Sequence, residues 1–458
     1  MGMKKAAILL IILFGGVLNL QGQEKYWSLE ECINHAIENN IMIKQQELQT
    51  QVQENTLQQS KLGLLPSLNG TATNNWSFGR ALDETTYQFT EEQNVRSNQF
   101  FASAGLTLFS GLQNYNTILR NRYNVDASFQ DLQNIKDDIS LNVALAYLQI
   151  LLNQELVTVT ENQLETTREQ IGKTEKMVEA GSLPRGNLLE IQAQAAREEL
   201  QLINMENQLD LSYLNIVQLL ELDSVDGFDI IVPEIQISEA GMITENVRDI
   251  YNTAKETRPE VLSAELRLKS SEYDLKIAKG GRSPRLNLNT SFSTGYSSIR
   301  QKILGIDPVE GVLYGEYPFS DQVNDNINYG IGLTLSIPVF NGWQVSTGIS
   351  NSRINIRNSQ YSLENTKKQL YKNIQQAYAD AQASLKSYIA SRKAVESMQE
   401  SFRYTEQRFN VGMVTPVEYN TAKAQLLNAE SELAQSKYEY IFKIKVLDFY
   451  KGLPLKLN

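Results

Sequence analysis

Within its 458 residues the chain has one cysteine and one histidine. Cys32 alone cannot form an internal disulfide, and Cys32 with His35 is too few for a structural zinc site or a Ser-His-Asp arrangement. Both sit in "LEECINHAIENN", an amphipathic helical pattern in which position on the helix accounts for them. Basic residues are in deficit, 42 Lys and Arg against 53 Asp and Glu, giving a net charge of −11. That balance excludes the basic surface which nucleic-acid phosphates require. No glycine-rich phosphate loop, nucleophile-and-base pair or metal cluster can be read, so no enzyme activity and no cofactor are expected. Long apolar runs are missing as well. Beyond the first residues no segment reads as a transmembrane helix, so any bilayer must be crossed as strands. The early exception, Ala6 to Leu18 after Lys4 and Lys5, falls short of the ~20 residues of a span. It predicts a signal peptide over residues 1–22, with cleavage after Gly22. Cys32 follows Glu30 and Glu31, which is no lipid-attachment pattern.

Proline is sparse, and its absence is patterned. Leu112 to Ala180 and Trp343 to Val411 contain none, and each run ends at a glycine, Gly181 or Gly412. Aligning those glycines also aligns Ala146-Tyr147 with Ala377-Tyr378, and Phe109-Ser110-Gly111 with Phe340-Asn341-Gly342. No gap is needed from Phe109–Leu222 against Phe340–Leu453. Upstream, Ala36 matches Ala254 and Pro66 matches Pro284 at a shorter offset. The pattern predicts a tandem duplication, residues 23–242 and 243–458. Each half predicts a first helix (28–64 and 244–279) ended by Pro66 or Pro284. A β-hairpin follows at about 67–109 and 285–340, then a long helix. A tip at about 180–187 and 411–417 leads to a return helix, 187–222 and 417–451, and residues 223–243 link the halves.

The long helices carry a coiled-coil seam: Val143, Ile150, Val157, Leu164, Ile171 and Val178 recur every seventh residue. The copy shows Leu370, Ile374, Ala377, Ala381, Leu385 and Tyr388, continuing to Phe402 and Phe409. Runs of this length at 1.5 Å per residue would reach ~100 Å, which predicts an extended bundle. The strands alternate. Tyr329, Ile331, Leu333, Leu335, Ile337 and Val339 face one way, while Gly330, Gly332, Thr334, Ser336 and Pro338 face the other. Leu286, Leu288, Phe292 and Tyr296 oppose Asn287, Asn289, Ser291 and Ser293 in the same fashion. Apolar outside and small or polar inside is how a membrane barrel reads, although a soluble sandwich gives the same alternation. The connections Gly79–Arg96 and Ser298–Asn326 are long and hold Tyr87, Phe89, Tyr314, Tyr317 and Phe319, which suits outer loops.

A helix that long must turn back if the chain is to return to the membrane. Gly181 and Gly412 supply the left-handed residue that ends a helix, and Pro184 and Pro416 suit the restart. Leu183 and Val414 are apolar residues expected at exposed turns. Gly181, Leu183, Pro184, Gly412, Val414 and Pro416 are therefore the candidate docking residues of two hairpin tips far from the barrel.

In "LPSL" (65–68), "IPVFNG" (337–342), "AYADAQ" (377–382) and "RFNVGMVTPVEYNTAKAQ" (408–425), taken in order and duplicated, the chain resembles the TolC-like outer-membrane efflux family. The resemblance implies a mainly α fold with a membrane β-barrel part, in the outer membrane and reaching into the periplasm. It implies a homotrimer whose subunits each give four strands to a shared 12-stranded barrel. It also implies tips that meet a periplasmic adaptor protein, coupled to an inner-membrane pump of the RND or ABC type. The chain would then be the passive exit duct of a tripartite efflux or type I secretion system. In such proteins acidic rings follow the second tip. Here the matching positions are Glu418, which keeps a carboxylate as a candidate entrance constriction, and Thr421, which does not. Independently, four strands cannot close a pore, so several chains must contribute, and outer-membrane lipid is an expected contact. The competing expectation is a trimeric coiled-coil surface adhesin or structural envelope protein, which would place its strands at one chain end.

Overall fold

A computed structural model describes residues 25–80, 89, 93–233, 245–308 and 311–457. The predicted signal peptide and Tyr87 lie outside the described residues. The elements in order are β1 (Lys25–Trp27), α1 (Leu29–Asn39), α2 (Ile41–Leu62), β2 (Ser67–Gly79), β3 (Gln93–Phe109), α3 (Gln113–Glu179) and α4 (Arg185–Leu219). There follow β4 (Phe228–Ile230), α5 (Val247–Thr257), α6 (Pro259–Gly280), β5 (Arg285–Ser297), β6 (Lys302–Asp307) and β7 (Gly311–Gly315). The chain ends with α7 (Phe319–Asp325), β8 (Asn328–Ser336), α8 (Gln344–Asn410) and α9 (Pro416–Tyr450). Two compact units result: one holds Thr50–Ser128 and Ser263–Leu363, the other the remaining stretches.

The first unit contains a four-stranded antiparallel sheet of order β2-β3-β5-β8. Its register sets Leu68 against Ala104, Ala102 against Phe292, and Phe292 against Tyr329. One face thus collects Leu68, Trp76, Phe100, Leu288, Ile331 and Leu333, and the large apolar residues on β8 are exposed. The other collects Ser67, Asn69, Ser103, Asn289, Ser291, Gly332 and Thr334 and carries no charge along these positions. Within the chain β2 and β8 each have one neighbour, so both outer edges are open. The strands turn into helices at Gly111-Leu112 and Gly342-Trp343, where all four residues have positive φ. Only glycine fits at 111. A Cβ there would come within 2.5 Å of the Gly280 carbonyl. The helical parts of this unit are tied by polar bonds, Arg120 to Asp274 at 3.2 Å and Ser270 to Asn124 at 2.6 Å.

In the second unit the core gathers Cys32 and Ala36 from α1, Val143, Tyr147, Ile150 and Leu151 from α3, Ile216 and Leu220 from α4, and Ile441 from α9. The α3 seam supplies its centre. One window of α3 has mean hydropathy 1.3 and passes the length and composition test for a membrane helix, but half of it is buried within the protein. Burial in a helical core explains that apolarity. β1 pairs in parallel with β4, and the Tyr147 hydroxyl reaches both the Ile231 and Trp27 carbonyls, at 2.5 and 3.2 Å.

Three expectations are corrected. The helix predicted over 28–64 breaks at Asn40, which is extended (φ −60°, ψ 131°) and whose side chain accepts from the Met42 amide at 2.9 Å. Its counterpart breaks at Arg258, because Pro259 disfavours a helical conformation in the residue before it. Arg258 is buried there, 3.1 Å from Asp137 and stacked over Phe449. The hairpin expected over 285–340 is no simple hairpin. Its loop contains β6, β7 and α7, and β8 ends at Ser336.

Candidate functional site

The two tips belong to the helical unit. α3 ends in a left-handed Gly181 (φ 73°), whose amide donates to the Val178 carbonyl while the Ser182 amide donates to Met177. α8 ends at Gly412 (φ 76°), with amide bonds from Gly412 to Phe409 and from Met413 to Arg408. Both are glycine-terminated helix ends, as the positive φ requires. The restarts differ. Thr415 caps α9, its hydroxyl accepting from the Glu418 amide at 3.3 Å, and Pro416 takes the first turn. Pro184 itself occupies the capping position of α4 and supplies no side-chain bond.

The tips share a small apolar core. Tyr419 stacks on Phe409 with ring centroids 4.6 Å apart and lies beside Phe402 and the buried Ile191. Val414 packs against this cluster and is only half-exposed, as is Leu183. Both apolar tip residues are thus less exposed than a free turn would leave them, and Val414 packs against the cluster of Ile191, Phe409 and Tyr419. The apolar side chains that point out of the second tip are Val411, Met413 and Val417, exposed by 70, 72 and 57%. Gly181, Pro184 and Gly412 are exposed, whereas Pro416 is buried. Glu418 is exposed, one step off the buried row Pro416, Tyr419, Lys423 and Leu427.

Lys423, which the sequence pattern did not single out, is the most unusual group near the tips. Its side chain is 2% exposed, and its ammonium donates to the Gln163 carbonyl at 2.7 Å and to Thr167 Oγ1 and lies 3.8 Å from Glu198 Oε2. Thr167 donates to the Glu198 carboxylate, and Gln194 Nε2 donates to its other oxygen at 2.9 Å. Burial draws Lys423 down to about 8, opposed by the fields of Glu198 and Glu406. The signal that could have found it is a charge on the i, i+4, i+8 row of Tyr419 and Leu427.

A sheet with one exposed apolar face and one polar face, in a chain that also carries long helical hairpins, has the pattern of an outer-membrane channel protein. Comparison with known proteins agrees. The family described as "Outer membrane efflux protein" matches residues 32–221 and 250–444, and the chain belongs to it. It is 24% identical over 328 residues to outer membrane protein TolC of Escherichia coli, covering 69% of this chain and 62% of that protein. Against TolC of Vibrio cholerae it is 22% identical over 417 residues, covering 91% and 89%. It shares the fold of a membrane protein from Pseudomonas aeruginosa solved by crystallography, at a TM-score of 0.76 and 16% identity over 94% of this chain and 91% of that one. The chain is thus an outer-membrane protein of a transport-channel family, and none of these relatives supports the adhesin reading.

Proposed function

We propose that the chain is the exit duct of a tripartite efflux or type I secretion system, working as a homotrimer with a 12-stranded barrel. The observation that carries the assembly is the open sheet. β2 and β8 have unpaired outer edges beside an exposed apolar face. Edges of that kind are not tolerated in lipid, and four strands are too few to close on themselves. Other copies supply the missing neighbours. In mild detergent the protein is expected to elute as a trimer by light scattering, with predominant helix signal in circular dichroism. A monodisperse, water-soluble monomer would overturn the barrel.

Transport energy comes from a partner, since the sequence shows no nucleotide site. The tips built on Gly181, Leu183, Pro184, Gly412, Val414 and Pro416 meet a periplasmic adaptor, and through it an inner-membrane pump of RND or ABC type. Glu418, exposed in the first turn of α9, stands at the periplasmic entrance. Three copies around one axis would attract cations and filter charge. The Glu418→Ala variant is expected to show higher single-channel conductance in planar bilayers and weaker block by divalent cations from the periplasmic side. Unchanged conductance together with unchanged block removes Glu418 from the entrance.

A further inference from the structure

The loop between β5 and β8 holds a structured insertion that the barrel does not require. β6 and β7 form a two-stranded antiparallel ribbon with Ile303 opposite Tyr314 and Ile306 opposite Val312. Its apolar residues are exposed: Ile306 by 78%, Leu304 by 67%, Ile303 by 63%. An isolated ribbon with this much apolar surface is marginal in water and calls for a cover. What covers it follows from where the next element sits. Three residues separate β7 from α7, which is clamped to the sheet. Gln322, buried, accepts from the Ser297 amide and donates to the Ser297 and Tyr317 carbonyls. Thr294 donates to the Val323 carbonyl at 2.5 Å, and Asn326 donates to the Gly295 carbonyl at 2.7 Å. Phe319 meets Phe100 edge-on and lies 5.2 Å from Tyr296. Phe100 and Tyr296 belong to the apolar face of the sheet, in register with Ala102, Phe292 and Tyr329.

α7 is therefore on the outside of the wall, over the face that lipid covers, and not over the polar face. Its height follows from the register. Tyr329 pairs with Phe292, and Thr294 and Tyr296 lie two and four residues further from the helical end of β5. At ~3.4 Å per residue that is roughly 7–14 Å along the strand beyond the last apolar row of β8. This is the level of the headgroups, where aromatic residues collect at a membrane boundary. The ribbon is tied to α7 by the short link Glu316, Tyr317 and Pro318 and by Lys302 of β6, 3.8 Å from Asp321 of α7.

We propose that the β6–β7 ribbon is a lipid-contacting collar. It rests its apolar side chains in the headgroup–acyl boundary of the outer leaflet, continuous with the apolar face of the sheet. The inference rests on the outer-membrane reading, and the test separates the two. With Cys32 replaced by alanine, single nitroxide labels are placed by Ile306→Cys in the ribbon, by Leu333→Cys on β8 and by Val411→Cys at the tip. The protein is reconstituted in phospholipid vesicles, and collision with oxygen is compared with collision with a water-soluble nickel chelate. The Leu333 label reports lipid if the barrel reading holds, and the Val411 label reports water. The Ile306 label is expected to collide with oxygen severalfold more often than with the chelate. Equal or greater access of the chelate at Ile306, with lipid reported at Leu333, overturns the collar alone. Strong dipolar broadening at Ile306 assigns the cover to neighbouring copies and also overturns it. Water reported at both Ile306 and Leu333 overturns the membrane reading together with the collar.

Discussion

The Lys423→Met variant is expected to lose about 3–5 kcal/mol of stability around the tips, because it strands the Glu198 carboxylate in a site only 3% exposed. Thr167 and Gln194 still donate to that carboxylate, but the ammonium 3.8 Å from it is gone. The loss should register in native-state hydrogen exchange as faster opening of α4 and the first half of α9. The double variant Lys423→Met with Glu198→Gln removes the orphaned charge and should recover most of the loss. Unchanged exchange in the single variant would show that the pair contributes nothing. The pH dependence is equally specific. Burial lets Lys423 hold its proton only to about 8 when folded, against about 10.5 for a solvated lysine. Between those values the unfolded chain binds a proton that the folded chain lacks, so this group's contribution to stability rises with pH across that window and is flat below it.

A strain carrying Met413→Asp is expected to be as sensitive to a panel of dyes and detergents as the deletion strain, while its trimer assembles normally. Met413 protrudes from the second tip between Val411 and Val417, and apolar side chains displayed on a turn need a partner surface. A carboxylate there would be buried unpaired on docking, at a cost of several kcal/mol. Val414→Asp is a different experiment. Its side chain packs against the cluster of Ile191, Phe409 and Tyr419, so the substitution should loosen the tip as well as block docking. Wild-type resistance in a well-expressed Met413→Asp strain would separate the tip from the partner.

What could be read from the sequence was whatever a short periodicity or a single backbone constraint determines. Gly181 and Gly412 announced helix ends because a positive φ needs a residue without a Cβ. The alternation of Tyr329, Ile331 and Leu333 announced a face because side chains in a strand point alternately. What could not be read depends on neighbours distant in sequence. Val414 looked exposed because a turn usually is, and its partial cover comes from the cluster of Ile191, Phe409 and Tyr419, the first of which lies in α4. Lys423 could not be singled out, because the carbonyl, hydroxyl and carboxylate around it come from α3 and α4. The break at Arg258 was legible in Pro259, whereas the break at Asn40 has only the weaker signal of an asparagine pair. β6, β7 and α7 escaped because strands of five or six residues and a seven-residue helix are too short to show a period.

The open edges of β2 and β8 also bear on how the protein is made. The helical unit has a core of its own and can form within one chain. If the barrel is shared between copies as proposed, the sheet completes its backbone hydrogen bonds only when they meet, and barrel formation should be of higher than first order in protein concentration. Until then each newly exported chain carries two adhesive strand edges and an apolar face through water, where mispairing with other strands competes with closure. Dilution should therefore arrest assembly at a species whose helices are formed and whose strands are not. For the proposed shared barrel, the slow step in biogenesis is expected to be the meeting of chains and not the folding of any one of them.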